Sequence, residues 1–284
     1  GKYFSEDKKS NYVFEQEISI KKQKKRFFLI HSSPLIRSQK NRGVLMVLTD
    51  ITLKRQLELV RQDFVANVSH ELKTPITSIV GFLEILNRDD LNKKEQGLFL
   101  DKILNHTNRM NAIIDDLLKL SKIESQEEDN SIYLNKQELL PILEGAKEDV
   151  RNSLEKNKVF IQIHCDKNVL IKGDSLLLRE ALVNLFENAG KYGYSNSTIQ
   201  AICEKQKKVL IHIENQGDKI KEKHWERIFQ RFYRIDKSRD RKAGGTGLGL
   251  AIVKHIAFVH GGEVKVSFSQ NKKTRFTIIL PLVS

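Results

Sequence analysis

His70 and Glu71 sit side by side in the run Phe64-Val-Ala-Asn-Val-Ser-His-Glu-Leu-Lys-Thr74-Pro75-Ile-Thr-Ser-Ile. A histidine is suited to proton handling or nucleophilic attack, since one ring nitrogen can react while the other keeps its proton, but adjacent helix residues diverge, so spacing alone does not give Glu71 a part in it. Apolar residues at Phe64, Val68, Leu72, Ile76, Ile79 and Leu83 recur at helical spacing and mark one buried stripe. His70 lies off that stripe and is carried outward, with Thr74 four residues on sharing its face. Pro75 has no N–H to bond the carbonyl of Glu71, so a bend is expected one turn past the histidine.

A second constellation is Asn184, Asn188 and Lys191, which fall on one face of a helix within Asp174–Tyr192. Two carboxamides and an ammonium suit a magnesium ion and phosphates, because magnesium keeps waters and phosphate oxygens beside few protein ligands. A third is Gly244-Gly245-Thr246-Gly247-Leu248-Gly249-Leu250. Its glycines let backbone N–H groups approach phosphates at a helix start, where the dipole favours anions. The run has neither the Gly-Lys-Ser/Thr ending of a Walker loop nor a dinucleotide fingerprint. His255 and His260 are five apart, with no cysteine or carboxylate completing a ligand set, and are not read as a metal site.

The elements that must position these groups follow from the patterning. Residues from about Tyr12 to Thr52 alternate in three strand-like runs. The chain then reads as helix from Leu53 to about Leu86, a polar turn at Asn87–Lys93, and a second amphipathic helix. That helix carries Leu100, Ile103, Leu104, Thr107, Met110, Ile114, Leu117 and Ser121 or Ile123 on one side. A two-helix hairpin exposes its apolar stripe unless it finds a mate, so a homodimeric four-helix bundle is the expected completion. The acidic, turn-rich Ser125–Ser131 is taken as a boundary. Beyond it, strands at 159–164, 209–213, 263–268 and 275–280 mix with helices near 139–156, 176–191 and 247–260, giving a second α/β domain.

Length and composition set bounds. The 284 residues allow two domains and part of a third, and 39% hydrophobic with 30% charged residues is ordinary for a globular protein. No run of about 18 apolar residues exists. The polar start, Gly1-Lys-Tyr-Phe-Ser-Glu-Asp-Lys, reads as part of a longer chain and carries no signal peptide. Cys165 and Cys203 are far apart in sequence and suggest neither a disulfide framework nor zinc, which fits a reducing cytoplasm. The net charge of +13 raises nucleic acid as a partner. The only dense basic run is Lys21–Arg26, however, and no nucleic-acid motif accompanies it, so the charge is assigned to an anionic nucleotide and an acidic protein partner.

In this order and spacing the motifs resemble those of bacterial two-component sensor histidine kinases of the PhoR and WalK type, from about Arg61 to the C-terminus. The His70 string is similar to the family's H-box and the Asn184–Tyr192 string to the N-box of the Bergerat ATP fold. Asn215-Gln-Gly217-Asp-Lys219-Ile220 sits where the family has its G1 box, with Asn215 in place of the adenine-binding aspartate and Lys219 in place of the second glycine. Ile228-Phe-Gln-Arg-Phe232-Tyr-Arg234 resembles the F-box, which anchors a lid over ATP, and the 244–250 run resembles the G2 box. Asn271-Lys-Lys-Thr274-Arg-Phe276 keeps the family's threonine and phenylalanine without its glycines.

The resemblance implies three parts. Residues 1–52 form the C-terminal portion of a PAS-like sensor domain, 53–124 the dimerisation and phosphotransfer hairpin, and 130–284 a Bergerat-type α/β sandwich that binds ATP. It implies phosphorylation of His70 from ATP, with Glu71 as proton acceptor and Thr74 serving phosphatase chemistry, and transfer to an aspartate on a cognate response-regulator receiver domain. Asn188 is implied as the Mg²⁺ ligand, assisted by Asn184, with Lys191 at phosphate and Tyr192 bordering the nucleotide. The remaining nucleotide contacts fall to Asn215, Gly217, Ile220, Phe232, Arg234, Gly245, Thr246, Gly247, Leu248 and Gly249. No nucleic-acid partner is expected. A membrane is expected only through segments outside this chain, as the cytoplasmic portion of an inner-membrane sensor. The alternative is a degenerate kinase acting as a phosphatase or docking platform, suggested by the altered G1 and final boxes.

Overall fold

The structure, a computed structural model, describes residues 14–21, 25–36, 42–88, 91–129, 131–236, 245–269 and 273–282. Gly244, Asn271 and Lys272, the Asp89-Asp90 pair, the first thirteen residues, Asn130 and the middle of the basic run at 22–24 lie outside these. The chain divides into two compact units, Gly1–His70 and Glu71–Ser284.

The first unit holds an antiparallel meander of β1 (Phe14–Lys21), β2 (Lys25–Ile36) and β3 (Arg42–Asp50), in the order β1-β2-β3. Asp50 ends β3 and starts the first helix: its carboxylate accepts from the Thr52 N–H at 2.9 Å and pairs with Arg26 at 2.5 Å. The Thr52 hydrogen bonds, then Arg26, lower its pKa to about 2. A carboxylate there also favours the positive end of the helix dipole.

Helix α1 (Thr52–Leu86) continues through Pro75, its one buried residue. Helix α2 (Lys93–Glu128) starts from a capping box, with the Asn92 side chain accepting from Lys94 and Glu95 N–H and Glu95 bonding back to the Asn92 N–H. It runs through the acidic segment at 125–128, because nothing there disfavours helix until the cap at Asp129. Phe82 of α1 packs against Phe99 and His106 of α2 at 5.8 and 5.9 Å, with the Lys102 ammonium 5.4 Å over the Phe82 ring. The apolar stripe expected on α2 is only partly covered within one chain. Ile113, Leu120 and Ile123 are buried, whereas Leu100, Leu104, Ile114 and Leu118 stay exposed, because the helix has two apolar faces and one chain covers only one of them.

The remaining elements are β4 (Asn135–Glu138), α3 (Leu139–Glu155), β5 (Phe160–His164), β6 (Leu170–Gly173), α4 (Ser175–Tyr192), β7 (Thr198–Lys205), β8 (Lys208–Gln216), α5 (Gly249–Val259), β9 (Glu263–Phe268) and β10 (Lys273–Pro281). The sheet runs β5-β7-β8-β10-β9, with β5 and β7 parallel and the other pairs antiparallel. The helices α3, α4 and α5 pack together. Their apolar faces (Leu143, Leu178, Leu185, Phe186, Ile252) share one core with Ile199, Ile211, Ile213, Phe276 and Ile278 of the sheet. Leu120 and Ile123 of α2 belong to the same core. His260 has a structural place: its Nδ1–H donates to the Ile256 carbonyl at 2.7 Å, and its Nε2 accepts from the Asp174 N–H at 3.0 Å.

Candidate functional site: a cavity between sheet, helices and glycine loop

A cavity of about 490 Å³ opens between α4, the ends of β8 and β10, and the glycine-rich segment before α5. Its floor is set by α4. Asp174 caps this helix by accepting from the Leu176 and Leu177 N–H groups, and the buried Leu178, Leu182, Leu185 and Ala189 turn the opposite face outward. That face brings Asn184, Asn188 and Lys191 to the cavity, as their spacing required. Asn184 donates through Nδ2 to the Glu180 carbonyl at 2.9 Å, which fixes the amide and leaves its oxygen facing the start of α5. A Cβ on Gly249 would lie 2.6 Å from that oxygen, so the helix start approaches only because residue 249 has no side chain.

The sheet supplies the opposite end. Asn215 and Thr274 are paired across β8 and β10, each 4% exposed, and both line the cavity with Phe276 and Ile220. The Asn215 Nδ2 turns toward the Gln216 carbonyl at 3.4 Å. Gly217 does not line the cavity: it bridges to Gly193, and a Cβ there would sit 2.6 Å from the Tyr192 carbonyl. Its role is to let two backbones meet beside Asn215 and Tyr192.

Arg234 donates to the Gly245 carbonyl, and the Phe232 N–H donates to the Gly247 carbonyl at 2.8 Å. Gly247 has φ +78°, the left-handed region that suits glycine. Phe232 also has positive φ, 61°, an uncommon backbone state for a bulky residue. Phe232 and Leu248 do not line the cavity. Phe232 holds the loop by its backbone, and Leu248 is fully buried beneath the start of α5. Arg234, Gly245, Thr246 and Gly247 do line it, as does Tyr192. Tyr192 lies beneath the Lys191 ammonium at 5.3 Å.

Sequence reasoning missed several lining residues: Asp116 of α2, Glu187, Asp218 and Tyr233. Glu187 carried a signal, since it lies three residues from Asn184 and next to Asn188. Asp116 carried none, because only packing of α2 on this domain brings it here. Its carboxylate accepts from the Thr246 hydroxyl at 2.6 Å, and burial raises the pKa of both Asp116 and Glu187. The cavity therefore has cations at Lys191, Lys219 and Arg234 and carboxyl groups at Asp116, Glu187, Asp218 and Asp236.

On the hairpin, His70 is exposed, and Thr74 is half-buried. The Glu71 carboxylate lies 2.8 Å from the Arg109 guanidinium of α2 and 3.4 Å from that of Arg234. Arg234 thus joins the helical hairpin to the glycine loop.

The comparisons with known proteins agree with this anatomy. Residues 60–126 match the His Kinase A (phospho-acceptor) domain, and residues 173–284 match the histidine kinase-, DNA gyrase B-, and HSP90-like ATPase family. The chain belongs to the sensor histidine kinases of bacterial two-component systems. It is 34% identical over 247 residues to the sensor histidine kinase WalK of Bacillus subtilis, an alignment that covers 84% of this chain and 39% of WalK. It is 36% identical over 241 residues to the phosphate regulon sensor protein PhoR of Pseudomonas aeruginosa, covering 84% and 54% respectively. The chain therefore spans about half or less of the curated relatives it matches. Among solved structures, the histidine kinase ThkA in complex with the response regulator protein TrrA shares the fold, with TM-score 0.65 and 21% identity over 95% of this chain and 79% of that one. Acinetobacter baumannii AdeS does so with TM-score 0.58 and 23% identity over 76% of this chain and 98% of that one.

Proposed function

We propose that this chain is the kinase core that autophosphorylates His70 from ATP and passes the phosphoryl group to an aspartate of a response-regulator receiver domain, with regulator dephosphorylation as a second activity. The observation that carries the reading is the cavity itself. One end, Asn215 and Thr274, is buried and hydrogen-bonding, as an adenine edge requires. The other end combines Asn184, Asn188, Lys191 and a glycine loop, as a triphosphate requires.

Adenine binds in this reading with its amino group donating to Asn215 Oδ1. Lys191 and Arg234 balance phosphate charge, and the Gly245–Gly249 backbone approaches the phosphates where side chains would block it. Mg²⁺ fits the donor set, because the carboxamide oxygens of Asn188 and Asn184 and the nearby carboxylates are hard oxygens. When bound, the ion supplies charge neutralisation between the phosphates. Attack requires a ring nitrogen of His70 with a free lone pair, so the other nitrogen holds the proton and needs an acceptor. Glu71 is next in sequence, but its carboxylate is held by two guanidiniums, so the acceptor role asks it to loosen that hold. The exposed apolar residues of α1 and α2, among them Val80, Leu83, Leu100 and Leu104, support a homodimeric bundle. The β1-β2-β3 meander leading through Asp50 into α1 supports the PAS-like reading of the first strands.

Incubating the purified chain with Mg-ATP and assaying acid-labile phosphate tests the proposal. Labelling of the parent and its loss in His70→Gln, with ATP binding retained, is expected. Undiminished labelling of His70→Gln sinks the assignment, and an unlabelled parent that still binds ATP supports the degenerate-kinase reading.

A further inference from the structure

Cys165 and Cys203 lie 38 positions apart in sequence, yet the fold sets them side by side. β5 and β7 pair in parallel from Phe160 opposite Thr198 to His164 opposite Ile202, and one step further places Cys165 against Cys203. Alternation gives both the same face. Ile161, Ile163 and Cys165 on one strand, and Ile199, Ala201 and Cys203 on the other, point toward the core, and both cysteines are half-buried at its margin. Neighbouring strands are about 4.8 Å apart, inside the roughly 4.4–6.8 Å Cα separation that a disulfide spans. β5 is the edge strand and ends at His164, so Cys165 stands in the turn where the Val169 N–H donates to the Asp166 carbonyl. Among the described residues no further strand pairs with the outer edge of β5, which leaves room for the adjustment a bond needs.

We propose that Cys165 and Cys203 are a reversible dithiol–disulfide couple, a peroxide-responsive modification site separate from the nucleotide cavity. The two thiols interact directly, and that interaction lowers the pKa of Cys165 while it and burial raise that of Cys203. Cys165, in the turn beyond the edge strand, is the attacking thiolate, and Cys203, held within β7, the resolving thiol. The Cys165 thiolate attacks one oxygen of hydrogen peroxide, the O–O bond breaks, Cys165 becomes a sulfenic acid, and the departing hydroxide takes up the proton the thiol had lost and leaves as water. The Cys203 sulfur then attacks the Cys165 sulfur, the S–O bond breaks, and a second water leaves with the Cys203 proton. Both thiols are oxidised by one electron each, and one peroxide is reduced to two waters. The bond closes the chain segment that contains α4, the helix of Asn184 and Asn188.

The test treats the full chain with hydrogen peroxide, then labels with a maleimide under denaturing conditions. The expected result is loss of both reactive thiols in the monomeric chain, an intact mass lower by two hydrogens, a linked peptide pair containing Cys165 and Cys203, and full recovery with dithiothreitol. Cys203→Ser should stop at a dimedone-reactive sulfenic acid on Cys165. The proposal is overturned if both thiols still label under conditions that fully oxidise a reference peptide thiol. It is equally overturned if oxidation yields only sulfinic acid or disulfides between chains.

Discussion

Asn215 offers the sharpest test of the nucleotide reading. Its side chain is 4% exposed at the end of β8, opposite the equally buried Thr274, and its Nδ2 faces the Gln216 carbonyl. The amide oxygen is then the acceptor left for a base amino group. A net neutral hydrogen bond contributes about 0.5–1.5 kcal/mol. Asn215→Ala should therefore weaken ATP by roughly two- to thirteenfold, at about 1.4 kcal/mol per decade. Asn215→Asp replaces a neutral acceptor with a charged one, whose hydrogen bond is roughly twice as strong. Part of that gain is spent desolvating the carboxylate, so affinity equal to or a few-fold above the parent is expected. The buried Glu214 does not oppose it directly, since adjacent strand residues face opposite ways and Glu214 is paired with Arg275 and Lys273. Calorimetric titration of ATP and GTP into the three proteins, with thermal midpoints recorded alongside, measures both affinity and fold. An alanine variant that binds ATP like the parent, or that loses ATP and GTP equally while staying folded, refutes base reading by Asn215.

Three further outcomes follow from the same geometry. Thr74→Ala should leave His70 labelling near the parent rate but slow dephosphorylation of a phosphorylated receiver domain several-fold. Equal loss of both activities contradicts that role. Gly217→Ala puts a methyl 2.6 Å from the Tyr192 carbonyl and should cost about 1–3 kcal/mol in a denaturant melt, whereas an unchanged midpoint means the Gly193–Gly217 approach is not tight. Burial lowers the pKa of His260 in the folded state, and its Nε2 can accept from the Asp174 N–H only while the ring is neutral. Its stabilisation is therefore complete above the unfolded value of about 6.5 and is lost as pH falls below it. Thermal midpoints at pH 7.5 and 5.5 should differ more for the parent than for His260→Gln. His212, lowered chiefly by burial as well, keeps part of the slope in the variant, and identical slopes refute the assignment.

The elements and much of the site were legible because they rest on local periodicity. α1 begins and ends within a residue of the pattern change, and Asn184, Asn188 and Lys191 share a face because helical spacing dictates it. β4, β6 and β7 were not read. The first two are four-residue strands with little pattern, and β7 alternates apolar with polar residues beside a lysine-rich turn. Gly217, Phe232 and Leu248 were expected at the nucleotide; none of them lines the cavity, Gly217 and Phe232 holding backbone approaches beside it and Leu248 packing beneath α5. Asp116 could not be found from its neighbours, since its place depends on a contact 130 residues away in sequence. The Cys165–Cys203 juxtaposition has the same character: parallel pairing of β5 and β7 is a non-local fact.

The burial of Leu120 and Ile123 in the catalytic core has a kinetic consequence. Any motion that lifts that core away from α2 must wet both side chains, at about 1.5–3 kcal/mol each. Without compensation, the detached state is populated at roughly one part in a few hundred to one in tens of thousands. At the same seam the Lys119–Glu180 ion pair at 2.7 Å is exposed and adds little, whereas the nearly buried Arg234–Glu71 pair must also part. The apolar pair therefore works as a detent on any such motion, and because Asp116 of the same helix holds Thr246 at 2.6 Å, a twist of α2 that loosens the pair also pulls on the glycine loop.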